Sequence, residues 1–474
     1  MKMPSTKTMK RFLCLAFFLL LASISGATDF KKLASTLVAY DDWDAVALPE
    51  SINFEQAKIA SDKGDSYARF VLGMQSYLGL GKEKNYQDAV MNFTISAFAH
   101  NEYAMYGLGL CLRDGKGIEK NKKSAAEYFE ASSKAGFARA KNALGVMLYK
   151  GDGVSKDLQR AISLFNSAIA DGIERAKVSL GYAYLEGKSV KKDVIKAREL
   201  WKSAALNGNA VAQKNYATFL SKGIDGYSDE IRAVEFFKKS SERGYVSAQG
   251  SYALLLIQGI GVGQDVEEGL KWLMRAAEAG EAEAQNNLAT CYFNGIGVDR
   301  NLPLAAHWYE SSAKLGYVDA QKNYADCCLE GIGTAKNGAE AIKWYKRAAE
   351  KGNLESQSYL AHCYLEGVDG SPRPELAIKW LRLAAERGDV NAQSNLGECL
   401  VNGVGVAVNY AEGVKWLRLA AEKDNAKALG NLGACYFNGL GVERDEEVGV
   451  RLIRKSARLG NDKAREALKR LNGY

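Results

Sequence analysis

The sequence predicts an all-α solenoid of helix–turn–helix repeats, and three residue series predict it. Gly79, Gly115, Gly151, Gly187, Gly223, Gly259, Gly295, Gly331, Gly367, Gly403 and Gly439 recur every 36 residues with no insertion. Gly136, Gly172, Gly208, Gly244, Gly280, Gly316, Gly352, Gly388 and Gly460 keep the same beat, with Asp424 filling the one gap. Trp272, Trp308, Trp344, Trp380 and Trp416 form the third series. A fixed period of this length marks stacked supersecondary units, none of which can bury its apolar face alone. Eleven such units cover residues 67–462.

Residues 283–318 serve as the type unit. A first helix, A, is expected over 283–294 and ends at Gly295, because glycine enters the left-handed region after a helix at little cost. Gly297 and Val298 complete the turn. A second helix, B, is expected over 303–315 and ends at Gly316, with Pro303 suited to a helix start because its missing N–H has no partner there. Let the terminal glycine of helix A be position 14. At about 100° per residue, positions 3, 7, 8, 10 and 11 share one face. In the type unit these are Ala284, Leu288, Ala289, Cys291 and Tyr292, and they vary little between units, so this face is the core. Positions 2, 5, 6, 9, 12 and 13 form the other face and vary freely.

The run Ala-Gln-x-Asn-Leu-Ala-x-Cys-Tyr-Phe-Asn-Gly-Ile-Gly-Val at 284–298, followed by Trp308-Tyr309, Ala313 and Gly316, resembles the Sel-1-like repeat family, a relative of the tetratricopeptide repeats. The resemblance implies antiparallel helix pairs stacked into a right-handed superhelix, with helix A lining the inner surface. It also implies a scaffold for protein or peptide partners. Ser189 and Asp225 replace the second turn glycine, and residues 367–374 (Gly-Val-Asp-Gly-Ser-Pro-Arg-Pro) form a different turn.

The two ends differ from the repeats. Lys10 and Arg11 precede an unbroken apolar run at residues 12–22, and Ser25-Gly26-Ala27 offers small residues for cleavage after Ala27. Residues 1–27 therefore read as a signal peptide. The run is short against the ~30 Å hydrocarbon core of a bilayer, so no integral membrane segment is expected after cleavage, and the chain is expected to be periplasmic or secreted. Residues 28–66 read as a degenerate capping unit, with Gly64 in phase with the helix B glycines. Residues 463–474 read as a charged capping helix. The formal net charge is +7, but Lys2, Lys7, Lys10 and Arg11 lie in the leader, which leaves a nearly neutral body. A nucleic-acid partner, which selects a basic surface, is not expected. The chain is expected to be a monomer.

The variable face suggests where a partner binds. In the earlier units, Val146, Tyr149, Tyr182, Leu185, Leu254, Ile257 and Phe293 present an apolar, Tyr-containing strip at positions 9 and 12. Later units add Asp326, Glu330, Glu366 and Glu398 around His362. This pattern is expected to take an extended peptide with apolar anchors first and a basic residue further along. The alternative is that position 12 covers the turn and the carboxylates are solvated. Asn215, Asn287, Asn323, Asn395 and Asn431 recur at position 6. A Gln series, Gln213, Gln249, Gln285, Gln321, Gln357 and Gln393, recurs at position 4. Their regularity favours inter-repeat hydrogen bonds over ligand contacts.

Catalytic chemistry is sparse. Cys111, Cys291, Cys327, Cys363, Cys399 and Cys435 occupy position 10, and Cys328 follows Cys327. Equivalent sites in neighbouring repeats lie about 9–10 Å apart, beyond the ~7 Å Cα separation of a disulfide, so buried free thiols are expected. His100, His307 and His362 fall in different repeats, and no C-x-x-C pair occurs, so neither a metal site nor a cofactor is expected. Some cysteine-rich relatives are linked to penicillin binding and β-lactam hydrolysis, which raises a hydrolase acting on β-lactams or peptidoglycan as an alternative. Ser189-x-x-Lys192 and Ser311-x-x-Lys314 match the first motif of such enzymes, but S-D-N and K-T-G are missing. A further alternative, a luminal quality-control adaptor of a eukaryote, draws on the single sequon Asn92-Phe93-Thr94.

Overall fold

The computed structural model describes residues 29–37, 53–226 and 228–471. The expected signal peptide lies outside them. The described residues form helices joined by turns, with no strand. Each repeat helix spans 13 residues; in the type unit, helix A is Ala282–Asn294 and helix B is Leu302–Lys314. The residues fall into two compact units. The first holds the described residues up to Ala248 with Ile260–Val262, and the second holds Gln249–Gly259 with the residues from Gly263 onward. Within each unit, helix A packs on its own helix B, and helix B packs on the next helix A. Before the first repeat, the helix Phe30–Leu37 buries Phe30, Leu33, Ala34 and Leu37 and packs on Ser66–Leu78, as does Phe54–Asp62. After the last, Asp462–Leu471 packs on Glu446–Arg458.

The turn between helices A and B repeats because its hydrogen bonds repeat. Gly295 sits at φ +73. Its N–H and that of Ile296 both donate to the Cys291 carbonyl at 2.8 and 2.9 Å, which satisfies a carbonyl the helix end would leave open. The Asn301 N–H then donates to the Tyr292 carbonyl at 2.8 Å, and its side chain accepts from the Leu304 N–H at 3.0 Å to cap helix B. Asn or Asp fills this cap in every repeat but one. There Arg373 caps without a side-chain bond, and Pro374 starts the helix.

The second turn glycine has a role that reaches beyond its own unit. Gly333 is at φ +70, and a Cβ there would overlap the Leu302 carbonyl at the start of the preceding helix B. Gly117, Gly153, Gly405 and Gly441 meet Tyr86, Lys122, Pro374 and Tyr410 in the same way. Thus these successive hairpins touch backbone to backbone, while at Gly297 the neighbours are the Val266 and Leu270 side chains. The turn at residues 367–374 lacks that glycine, and the gap closes from the other side: Gly338, the first residue of helix Gly338–Glu350, lies against the Val368 carbonyl. Ser189 holds the left-handed conformation itself, at φ +63, and Asp225 forms an ion pair with Arg198 of the preceding helix B.

Inside the hairpins, helix B knobs press on position 8 of helix A. Position 8 is glycine in six hairpins; in two it faces Leu417 or Ile453, and in the first four an aromatic ring: Gly73 faces Phe93, Gly109 faces Phe129, Gly145 faces Phe165 and Gly181 faces Trp201. These phenylalanines are fully buried, and each stabilises the fold by about 1.5–3 kcal/mol through removal from water. Two polar ladders join neighbouring elements. Gln213, Gln285, Gln321, Gln357 and Gln393 donate through Nε2 to a carbonyl of the preceding helix B at 3.0–3.2 Å. Ser96, Ser132, Ser240 and Ser312 donate to the first helix A carbonyl of their own hairpin at 2.6–2.7 Å.

The backbone contact makes a direct test. Gly333→Ala should lower stability to urea by about 1–3 kcal/mol, the cost of a strained left-handed residue, with the overlap against Leu302 adding to it. Gly263→Ala, where the added methyl meets nothing and φ is ordinary, should shift the midpoint little. Equal behaviour of the two would refute the contact as a stacking constraint.

Candidate peptide-binding surface

The core face follows the repeat. Ala284, Leu288, Ala289 and Cys291 are buried, and Tyr292 is half-buried. The variable face splits into residues that reach into a neighbouring repeat and residues that remain open.

In the first compact unit, Val146 and Leu185 are half-buried. Tyr149 packs on Phe165, and its hydroxyl donates to Glu186 of the next repeat at 3.0 Å. Burial, then that carboxylate, pushes its phenol up to about 12. Tyr182 is 41 % exposed, with its ring edge-on to Trp201 at 5.1 Å and its hydroxyl donating to Asn215 at 3.0 Å. One ring face is therefore open while the polar end is fixed, which suits a rigid apolar anchor. The recurrent asparagines act between repeats: Asn323 donates to Asn286 at 3.0 Å, and Asn395 accepts from Lys427 at 2.9 Å.

The second unit corrects several expectations. Ile257 is 9 % exposed and packs against Gly269, so it is core and not an accessible anchor. Leu254 is half-buried. Phe293 is half-buried beneath the Arg300 guanidinium, whose Nε donates to the Phe293 carbonyl at 3.0 Å; here position 12 covers the turn. Asp326 accepts from the Tyr345 hydroxyl and forms an ion pair with Lys322 at 2.9 Å, and Lys322 also reaches Glu355 at 3.5 Å. Burial works against the Lys322 ammonium, but Asp326 and Glu355 hold its pKa above the ordinary value. Burial and Asp326 together push the Tyr345 phenol up. Glu398 is held by Lys427 at 2.6 Å. Two of the expected carboxylates are thus neutralised by lysines of the chain itself.

What remains open is Glu330, His362 and Glu366, all exposed and with no ion pair among the described residues. Tyr359 joins them. It occupies position 6, where asparagine is usual, is 44 % exposed and stacks on Tyr345 at 5.6 Å. Tyr359, His362 and Glu366 are spaced i, i+3, i+7 and share one stripe of the helix Leu354–Glu366. The available signal for Tyr359 was an aromatic at a position held by Asn, Ser or a smaller apolar residue in the other repeats.

The described residues offer little reactive chemistry beside this surface. Among the described residues no cluster of His, Cys, Asp and Glu could hold a metal ion. Ser189 lies in a turn, and Lys314 pairs with Glu310 at 2.7 Å. Asn92 is 6 % exposed, and its amide donates to the Asp88 carbonyl, so this sequon is closed to glycosylation. No described helix is long and apolar enough to cross a membrane. All seven described cysteines are buried free thiols.

Comparison with known proteins agrees with this geometry. The Sel1 repeat profile matches eleven consecutive segments, from 66–97 to 426–461. The chain belongs to the Sel1 repeat family. Sel1 repeat proteins generally serve as scaffolds for protein–protein contact. A protective antigen of uropathogenic Escherichia coli with this fold is 30 % identical, aligns over 87 % of this chain and 89 % of its own, and superposes with a TM-score of 0.56. A Sel1 repeat protein from Oxalobacter formigenes is 28 % identical over 52 % of this chain and 96 % of its own, with a TM-score of 0.46. Comparison with curated proteins finds no match.

The thiols give a pH test. Burial pushes Cys111, Cys327 and Cys363 up to about 12, and Cys291, Cys399 and Cys435 up to about 11. The unfolded chain therefore loses these protons first. Stability should be fully present below about pH 9 and fall as pH rises toward 11–12, by up to ~1.4 kcal/mol per pH unit for each thiol. Urea midpoints from pH 8 to 11 measure this, and a flat profile would show that the thiols are not desolvated. A thiol-specific chromogenic reagent at pH 8 should react only after unfolding.

Proposed function

We propose that this chain is an exported scaffold that binds an extended peptide segment of a partner protein on the variable face of its A helices. The observation that carries the reading is the contrast between the two faces of one helix type. The core face barely changes between repeats, while the other offers exposed aromatic rings at Tyr182 and Tyr359 and, among the described residues, carboxylates without an ion pair at Glu330 and Glu366. Rings of this kind supply contact area at low entropic cost, and open carboxylates select a basic residue. The Tyr182 strip in the first unit takes apolar side chains; the stripe of Tyr359, His362 and Glu366 in the second takes lysine or arginine.

Export rests on the leader-like residues 1–27. The likeness to a protective antigen of uropathogenic Escherichia coli supports a role in the bacterial cell envelope or in contact with a host.

Selection of peptides from a displayed random library, with residues 28–474 as bait, tests this. The selected peptides should share a basic residue, and their affinity should fall about tenfold or more in a Glu330→Lys/Glu366→Lys variant, on the scale of a misplaced interface charge. Tyr182→Ser should weaken a separate, apolar class. Peptides that bind wild type and both variants alike would sink the proposal.

A further inference from the structure

Residues 451–474 carry eight of the chain's 63 Lys and Arg residues but two of its 56 Asp and Glu residues. Arg451, Arg454, Lys455 and Arg458 lie on the helix Glu446–Arg458, and Lys463, Arg465, Lys469 and Arg470 on the helix Asp462–Leu471. All eight are exposed. Lys455 pairs with Asp424 at 2.5 Å and Arg465 with Asp462 at 2.6 Å. The other six have no acidic partner among the described residues. The same two helices carry four acids, Glu446 and Glu447 at the start of the first and Asp462 and Glu466 in the second, so bases outnumber acids eight to four.

Helix stabilisation accounts for only part of this charge. Cations favour the last turn of a helix, where the carbonyls of the backbone point. That covers Lys455, Arg458, Lys469 and Arg470. Lys463 and Arg465 sit in the first turn of their helix, where the dipole opposes a cation. Arg451 and Arg454 are in mid-helix. A capping helix needs a polar outer face, but it does not need an excess of one sign.

We propose that this end of the second compact unit docks on the surface of an anionic phospholipid bilayer. Basic side chains spread over two consecutive helices suit a broad field of headgroup phosphates, and each such residue near the surface adds to the attraction. Leu459, 47 % exposed in the connection between the helices and flanked by Arg458 and Lys463 in the sequence, supplies an apolar tip for the headgroup boundary. A single-stranded nucleic acid fits less well, because residues 451–471 contain no aromatic side chain on which bases could stack.

Co-sedimentation of residues 28–474, which contain every described helix, with phosphatidylcholine vesicles and with vesicles one-third phosphatidylglycerol tests this. Binding should require phosphatidylglycerol and be lost in about 0.5 M NaCl, where screening reaches only a few ångströms. The variant Arg454→Gln/Arg458→Gln/Lys469→Gln should bind about a hundredfold more weakly at unchanged melting temperature, as loss of three surface cations implies. Leu459→Ser should weaken binding with the same salt dependence. No binding to phosphatidylglycerol vesicles at low salt, or equal binding by the triple variant, would overturn the proposal. Capture of duplex DNA with vesicles ignored would overturn it equally.

Discussion

The backbone approach at the second turn glycine is the constraint on which the stacking depends. A carbonyl at the start of one helix B lies where the Cβ of the next repeat's turn would be, as at Leu302 and Gly333. Side chains adapt and backbones do not, so this contact sets how closely consecutive hairpins approach within each compact unit. The glutamine ladder then becomes possible, because its Nε2 has a fixed carbonyl in reach. The exceptions follow the same rule. Where residues 367–374 supply no glycine at that point, Gly338 supplies the clearance from the opposite helix; at Asp225 an ion pair to Arg198 takes the place of contact.

A fixed hairpin spacing divides helix A into two kinds of position. Position 8, which faces helix B, lies hard against its knobs, as Gly109 lies against Phe129, and stays small throughout the repeats. Positions on the other face change without disturbing the stack, so partner specificity can reside there. The division is not absolute. Tyr182 and Asn215 bond across a repeat junction, and Tyr345 extends through the hairpin to Asp326. Such residues are part scaffold and part surface, and a ligand meets them already held.

The repeat was legible because periodicity survives any amount of local variation. Helix limits, glycine caps and the core face came within a residue or two of the sequence expectation. The open surface was less legible. Ile257 and Tyr149 share position 12, yet Ile257 fills the space above Gly269 while Tyr149 extends to Glu186. Asp326 and Glu330 look alike in sequence, but Asp326 is taken by Tyr345 and Lys322.

The sequence by itself determined the architecture, the buried thiols and the division into constant and varying faces. Each depends on residue type at a repeated position, and a 36-residue period exposes it directly. The tertiary structure alone decided which carboxylates remain free, that Tyr359 is open and that the Asn92 sequon is closed. Those outcomes depend on contacts between residues far apart in the chain, such as Tyr345 with Asp326 or Glu398 with Lys427, and no local pattern records them.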